Sequence, residues 1–351
     1  MSPAPTLERP PRRVALVRMS AIGDTVHVLP IIASLRAAWP DCRITWVVQP
    51  VAHRLWTGRP DVDEFLIFHR ERGARAYRDF RRALGDRRFD LVICLHPCLK
   101  AAIVTRLLSA PIRLGYDRAR SRDLSWLAVN RRIPARPPAH VQDQHFEFLE
   151  YLEVPVRREW NFFFTPEETV ARDRWRAERA GRPVLAVVTR SSRREKDWTL
   201  ARYARVLDTA AGDLGFRTVV VGGPSEGELE DSARLQALCR FPPEVELRYD
   251  LREMAWLLDA SDAVLSPDTG PLHMAVALGT PTVGLYGFTD PKRVGPYGRY
   301  GDLLIDRYSR PDDAGPSRRT RPGRMDRITE EDVIDKLHLL RSRYLSGGAD
   351  S

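Results

Sequence analysis

The stretch AVLSPDTGPLHMAVALGTPTVGLYG, residues 263–287, holds a complete strand–helix–strand unit. AVLSP (263–267) reads as a buried strand, a helix begins near Thr269, and TVGLYG (282–287) reads as the next strand. Two buried strands joined by a helix define a parallel sheet, because a parallel pair needs a long crossover. The same alternation extends outward. Upstream lie strand PVLAVVT (183–189), a helix over about 199–212, strand RTVVVGG (217–223), a helix over about 226–239 and a short helix near 251–259.

The N-terminal half repeats the pattern. RVALVR (13–18) is a strand, followed by the glycine turn SAIGD (20–24) and an apolar helical pattern through Ala38. Strands RITWVVQ (43–49), EFLIF (64–68), DLVICL (90–95) and IRLG (112–115) follow, with a basic helix over about 74–85 and another over 99–108. Helical stretches near 121–129 and 140–152 close this half, and EVPVRREWNFFFTP (153–166) reads as a linker. The Pro-, Arg- and Asp-rich stretch 306–327 predicts a flexible loop. A capping-box pattern from Thr329 to Asp332 starts a last helix that runs to about Tyr344. The fold class is therefore α/β, with two Rossmann-like doubly wound parallel-sheet domains facing a central cleft. The expected boundaries are 1–165, 166–328, and a C-terminal helix and tail over 329–351.

A chain of 351 residues suits two such domains. With 43% hydrophobic and 29% charged residues it has a globular balance. Four cysteines are too few for a disulfide framework and point to a reducing compartment. Cys94, His96 and Cys98 cluster at a strand end without a second pair of zinc-site spacing, so they read as core residues and no metal is expected. The N-terminus does not read as a signal peptide, and the longest uncharged stretch, Thr269–Thr289, is broken by glycines and prolines. The expectation is a cytoplasmic protein.

The net charge is +9, but its distribution is uneven. Residues 1–165 carry 27 Lys+Arg against 17 Asp+Glu, while 166–351 carry 29 against 30. Within the basic half, Arg70, Arg72, Arg75, Arg78, Arg81, Arg82, Arg87 and Arg88 face only three acids. This is either a solvated helix face or a surface for a polyanion. No nucleic-acid-binding signature accompanies the charge, so no nucleic-acid partner is expected.

Three loops at strand carboxyl ends can carry chemistry. Asp268-Thr269-Gly270 opens a helix, whose free N–H groups and dipole suit a diphosphate, and His273 lies one turn in. Taken alone, Asp268 also fits a plain N-cap and His273 a core residue. Lys196 is one of four lysines among 56 basic residues, in the loop SSRREKDW (191–198), where Ser191 and Ser192 add hydroxyl donors. Asp24 follows the Gly23 turn, as an N-cap or as a general base. SAIGDTV lacks the dinucleotide fingerprint, and no P-loop occurs. Gly223-Pro224-Ser225-Glu226-Gly227 mimics a hydrolase elbow, but Pro224 fixes φ beside the serine and no oxyanion segment precedes it.

Together these segments resemble the ADP-heptose:lipopolysaccharide heptosyltransferases, inverting glycosyltransferases of the GT-B fold. The resemblance spans about 13–305, with a weaker echo at 325–345. It rests on D-T-G-x-x-H-x-A-x-A-x-x-x-P-x-x-x-L-Y-G (Asp268 to Gly287), S-x-I-G-D-x-x-H-x-L-P (Ser20 to Pro30) and K-x-W (Lys196, Trp198). It implies ADP-heptose bound by the C-terminal domain, a phosphorylated Kdo-lipid A acceptor on the N-terminal domain, and no cofactor. Asp24 matches the family's base, and Lys196 the lysine that neutralises the departing diphosphate. Ser191, Ser192, Glu226, Tyr249, Asp268, Thr269, Gly270 and His273 match donor-binding positions. Glu226 corresponds to a carboxylate on the ribose and Tyr249 lies near the adenine pocket; His140 matches a recurrent position. The implied acceptor set is Arg70, Arg72, Arg75, Arg118, Arg120 and Arg122, with peripheral contact on the cytoplasmic face of the inner membrane. The motifs lean toward the first heptosyltransferase. Many relatives carry a cysteine in the segment before the last helix, where PSRRTRPGRM (316–325) has none. The alternatives are a GT-B transferase using another nucleotide sugar, or a non-catalytic glycolipid-binding relative.

Overall fold

The computed structural model describes residues 9–247 and 250–346. Readings that fall on 1–8, on Tyr249 and on 347–351 lie outside the described residues. The chain divides into two compact units, one formed by 1–137 and 141–163, the other by 138–140 and 164–351.

The first unit is built on six strands: β1 (Arg13–Val17), β2 (Arg43–Val48), β3 (Glu64–Ile67), β4 (Leu91–Cys94), β5 (Ile112–Gly115) and β6 (Arg131–Arg132). They pair in parallel in the order β3-β2-β1-β4-β5-β6. β1 and β4 are central, and Val14 to Val17 and Leu91 to Ile93 are fully buried. That explains their unbroken apolar sequence, since helices cover both faces of such a sheet. The second unit repeats the plan with β7 (Val184–Val187), β8 (Arg217–Val221), β9 (Glu244–Glu246), β10 (Ala263–Pro267), β11 (Thr282–Tyr286) and β12 (Leu304–Asp306). Its order is β12-β11-β10-β7-β8-β9.

Each order reverses direction next to the unit's first strand. In the first unit the switch lies between β1 and β4, and in the second between β7 and β10. Such a switch point opens a crevice beyond the strands' carboxyl ends, where ligands of doubly wound sheets bind. The loops that sequence reasoning singled out, SAIGD after β1, 189–198 after β7 and Asp268-Thr269-Gly270 after β10, emerge from strands that border these switch points.

Local departures have local causes. The helical pattern after SAIGD forms two helices, Ile22–Val26 and Leu29–Ala38, because Pro30 at the start of the second lacks the N–H to continue the first. The helices Pro50–Trp56 and Pro166–Ala177, not anticipated from sequence, each carry proline in the first turn. Thr165 also forms a capping box with Glu168. The stretch 306–327, expected as a flexible loop, is pinned instead. Tyr308 is 1% exposed, Arg321 forms a bidentate pair with Asp313, and the buried Arg324 donates to the Tyr308 carbonyl. Composition missed this because arginines here bond to carbonyls rather than to water. The Thr329–Asp332 capping box opens the helix Glu330–Leu340 as anticipated. Among the described residues no helix is long and apolar enough to cross a membrane.

Candidate active site

In the second unit, Asp268 ends the turn after β10, and the helix Gly270–Leu278 follows with Thr269 at its N-cap. Asp268 is 6% exposed and gathers three partners. Lys196 Nζ donates to its Oδ2 at 2.6 Å and to its carbonyl at 2.9 Å. Thr289 Oγ1 donates to Oδ2 at 2.6 Å, and His273 Nε2 lies 3.2 Å from Oδ1. Burial alone would raise this carboxyl's pKa. The hydrogen bond from His273 and the charge of Lys196 outweigh it and hold the pKa well below the usual range. Asp268 is thus a fixed anion that aims a lysine.

The loop after β7 is held by its own polar groups. Ser191 N–H donates to Asp197 Oδ1 at 2.7 Å, and Ser191 Oγ donates to the Arg193 carbonyl. Trp198 is buried, its Nε1–H donating to the Ile328 carbonyl at 3.1 Å, so the tryptophan of K-x-W anchors the loop that carries Lys196. Ser192 is exposed. Glu226 is the first residue of the helix Glu226–Leu238, at the carboxyl end of β8, and its side chain is exposed. Ser225 is that helix's N-cap and bonds Glu228, which disposes of the hydrolase elbow. Tyr249 lies outside the described residues. His140 Nε2 meets the Gly295 carbonyl at 3.0 Å, and its ring packs on Tyr297.

In the first unit, Asp24 lies in the first turn after SAIGD. Its Oδ2 accepts from Ala21 N–H at 3.0 Å, and Arg18 Nη2 lies 2.5 Å from Oδ1. Arg18 is buried, and its Nη1 donates to the Leu95 carbonyl at 2.7 Å. Burial raises the Asp24 pKa, but the Arg18 charge and the Ala21 N–H more than reverse it, so the carboxylate stays ionised. His96, at the carboxyl end of β4, stands in the same field. Burial and then Arg18 push its pKa down to about 3, against the opposing pull of Asp24, so it is neutral. Met19 N–H points at its Nδ1 at 3.4 Å.

The arginines proposed for an acceptor separate. Arg70 and Arg122 are exposed and both act electrostatically on His96. Arg72 and Arg75 are exposed and line a shallow recess with Glu71 and Asp79; Arg72 lies 3.2 Å from Asp79. Arg118 is exposed and stacks over Trp126, 4.7 Å from the ring centroid. Arg120 is a correction. It is 8% exposed, pairs with the buried Asp117 and Glu147 and donates to the Pro134 carbonyl at 2.8 Å. Its fork is consumed inside the unit, so it braces the 117–134 loop rather than meeting a ligand.

Three participants escaped sequence reasoning. Arg18 left a legible mark, a charge closing an otherwise apolar strand. His96 was visible but read as core, because its relation to Asp24 depends on the β1–β4 pairing. Thr289 gave no signal.

A two-unit α/β protein with a half-buried Lys196 paired to a buried Asp268 at one switch point and an ionised carboxylate at another has the build of a nucleotide-sugar transferase. The model of glycosyltransferase family 9 (heptosyltransferase) matches residues 77–313. The chain belongs to this family and is a glycosyltransferase of the GT-B fold. It is 28% identical over 302 residues to the lipopolysaccharide core heptosyltransferase OpsX of Haemophilus influenzae, covering 86% of each chain. Among solved structures, a family 9 glycosyl transferase from Veillonella parvula shares the fold with a TM-score of 0.76, at 23% identity over 94% of this chain and 97% of that one. The E. coli heptosyltransferase WaaC with ADP shares it with a TM-score of 0.73, at 22% identity over 95% and 99%.

Proposed function

We propose that this enzyme moves a heptose from ADP-heptose to the phosphorylated Kdo-lipid A inner core of lipopolysaccharide, with inversion at the anomeric carbon and without a metal. Supporting this are the family membership, curated relatives named as lipopolysaccharide heptosyltransferases, and a solved relative described as holding an ADP-2-deoxy-2-fluoro heptose. The observation that carries the donor half is the Lys196–Asp268 pair at the N-terminus of the helix Gly270–Leu278.

The acceptor hydroxyl attacks the anomeric carbon while the bond to the β-phosphate oxygen breaks. The hydroxyl proton passes to Asp24, and the electron pair leaves with ADP. An ammonium has three N–H donors. Lys196 spends two on Asp268 and keeps one for a phosphate oxygen. The helix N-terminus adds unpaired N–H groups and positive potential to the same anion. These two sources supply the charge that a metal supplies in other transferases. Asp24 is a weak base at rest, because Arg18 holds it ionised. That suits late proton transfer, when the forming bond has already made the acceptor's proton acidic.

In this reading Ser191, Ser192, Thr269, Gly270 and His273 line the diphosphate and sugar, and Glu226 takes the ribose. Arg70, Arg72, Arg75, Arg118 and Arg122 meet acceptor phosphates and Kdo carboxylates. The enzyme works at the cytoplasmic face of the inner membrane, where its basic N-terminal half meets anionic headgroups.

The test offers ADP-heptose, GDP-sugars and UDP-sugars in turn with Kdo-lipid A, in buffer containing EDTA, and measures nucleotide release. Acceptor-dependent ADP release in EDTA supports the proposal. A preference for GDP or UDP donors, or activity abolished by EDTA and restored by a divalent cation, refutes it.

A further inference from the structure

In the first unit, β4 and β5 enter the sheet beside a recess of about 550 Å³. Arg88, Arg106 and Arg113 line it, with Phe89, Asp90 and Ser109. These residues stand at the amino ends of β4 and β5, whereas Asp24 and His96 follow the carboxyl ends of β1 and β4. Because the strands are parallel, the recess and the candidate base occupy opposite edges of one sheet. The recess is therefore no part of the site described above.

Its charge is unbalanced. Asp90 directs Oδ2 at the backbone N–H groups of Arg12 and Arg13, at 2.8 and 2.9 Å. Among the described residues no carboxylate comes within ion-pair distance of Arg88, Arg106 or Arg113, although Arg87, adjacent in the chain to Arg88, is paired with Glu64. Arg113 gives Nη1 to the Ala110 carbonyl at 2.8 Å, yet its Nε is buried and meets no acceptor. Burial and then the Arg106 charge depress the Arg113 pKa, as expected of guanidiniums gathered without an anion. Like charges held together repel, and an anion between them removes that cost. Three guanidinium forks offer more N–H donors than the two oxygens of a carboxylate accept.

We propose that this recess is a second anion site, in which Arg88, Arg106 and Arg113 bind a phosphoryl group. The source is either the phosphate of an anionic lipid headgroup or a soluble phosphate. Hydrogen exchange of the full chain, read by peptide mass spectrometry, tests it with two probes: inorganic pyrophosphate, and phosphatidylglycerol vesicles set against phosphatidylcholine vesicles. The expected result is at least fivefold slower exchange over 106–114. A double variant, Arg88→Gln with Arg106→Gln, loses that slowing; both side chains are exposed and neither belongs to the catalytic set. Slowing with phosphatidylglycerol but not phosphatidylcholine assigns a headgroup, and slowing with pyrophosphate alone assigns a soluble phosphate. No slowing at 106–114 with either probe, or equal slowing in the double variant, overturns the proposal. Pyrophosphate protection at 266–273 reports the donor loop separately, so failure of one site is distinguishable from failure of the other.

Discussion

Lys196 Nζ lies 2.6 Å from Asp268 Oδ2, joining the loop after β7 to the turn after β10 across the switch point of the second sheet. The two residues are 72 positions apart in sequence. Thr289 and His273 complete the ring of donors around the carboxylate. The lysine is therefore preset, and in the proposed mechanism a departing diphosphate would meet an ammonium that needs no reorganisation.

Lys196→Ala is expected to lower kcat by about 10²–10³-fold, the range seen when one preorganised donor to a developing anion is removed. The fold should survive at reduced stability, because buried Asp268 loses its cation but keeps Thr289 and His273, and loop anchoring belongs to Trp198. Lys196→Arg should recover only part of the rate, since a planar fork does not reproduce a compact ammonium. Steady-state ADP release alongside circular dichroism checks both variants.

Stability should fall steeply in acid. Asp268 and Asp24 both have folded pKa values below the reference of 3.8, so each binds a proton more readily in the unfolded chain. Their stabilisation is complete above that reference and is lost as pH falls toward the folded values. Thermal unfolding between pH 6 and pH 2 should show a slope below about pH 4 that flattens in Asp268→Asn.

Arg18→Met should move the acid limb of the kcat/KM profile to higher pH. In the native enzyme Arg18 outweighs the burial that raises the Asp24 pKa, and without the guanidinium burial is less opposed. A pH–rate profile reads the shift directly. A limb that stays in place would show that another group sets the protonation state.

Arg120→Ala and Arg122→Ala should separate structure from recognition. Removing Arg120 leaves Asp117 and Glu147 buried without their cation, which costs roughly 3–5 kcal/mol. Arg122 is exposed, so its loss should leave urea unfolding unchanged and raise KM for the acceptor. Urea titration and acceptor kinetics on the same preparations distinguish them.

Much of the fold was legible because buried parallel strands are written as continuous apolar runs, as in β1 and β10. The short edge strands β9 and β12, of three residues each, were not, because edges need little apolar sequence. The loops bearing Asp24, Lys196 and Asp268 stood out by small, polar and glycine residues at strand ends. The partners that fix their ionisation did not. Arg18 reaches Asp24 within the same connection after β1, but His96 does so only through the β1–β4 pairing, and Thr289 reaches Asp268 from the segment after β11, relations that no local pattern encodes. Arg120 misled because a buried arginine within YDRARSR has the same sequence appearance as its exposed neighbours.

The most direct measurement is mass spectrometry of the lipid recovered after the enzyme is mixed with ADP-heptose and Kdo-lipid A. The account predicts an acceptor heavier by a single heptosyl unit, with stoichiometric ADP, and none of this product from Asp24→Ala. An unmodified acceptor with wild-type enzyme, or full product formation by Asp24→Ala, would contradict it.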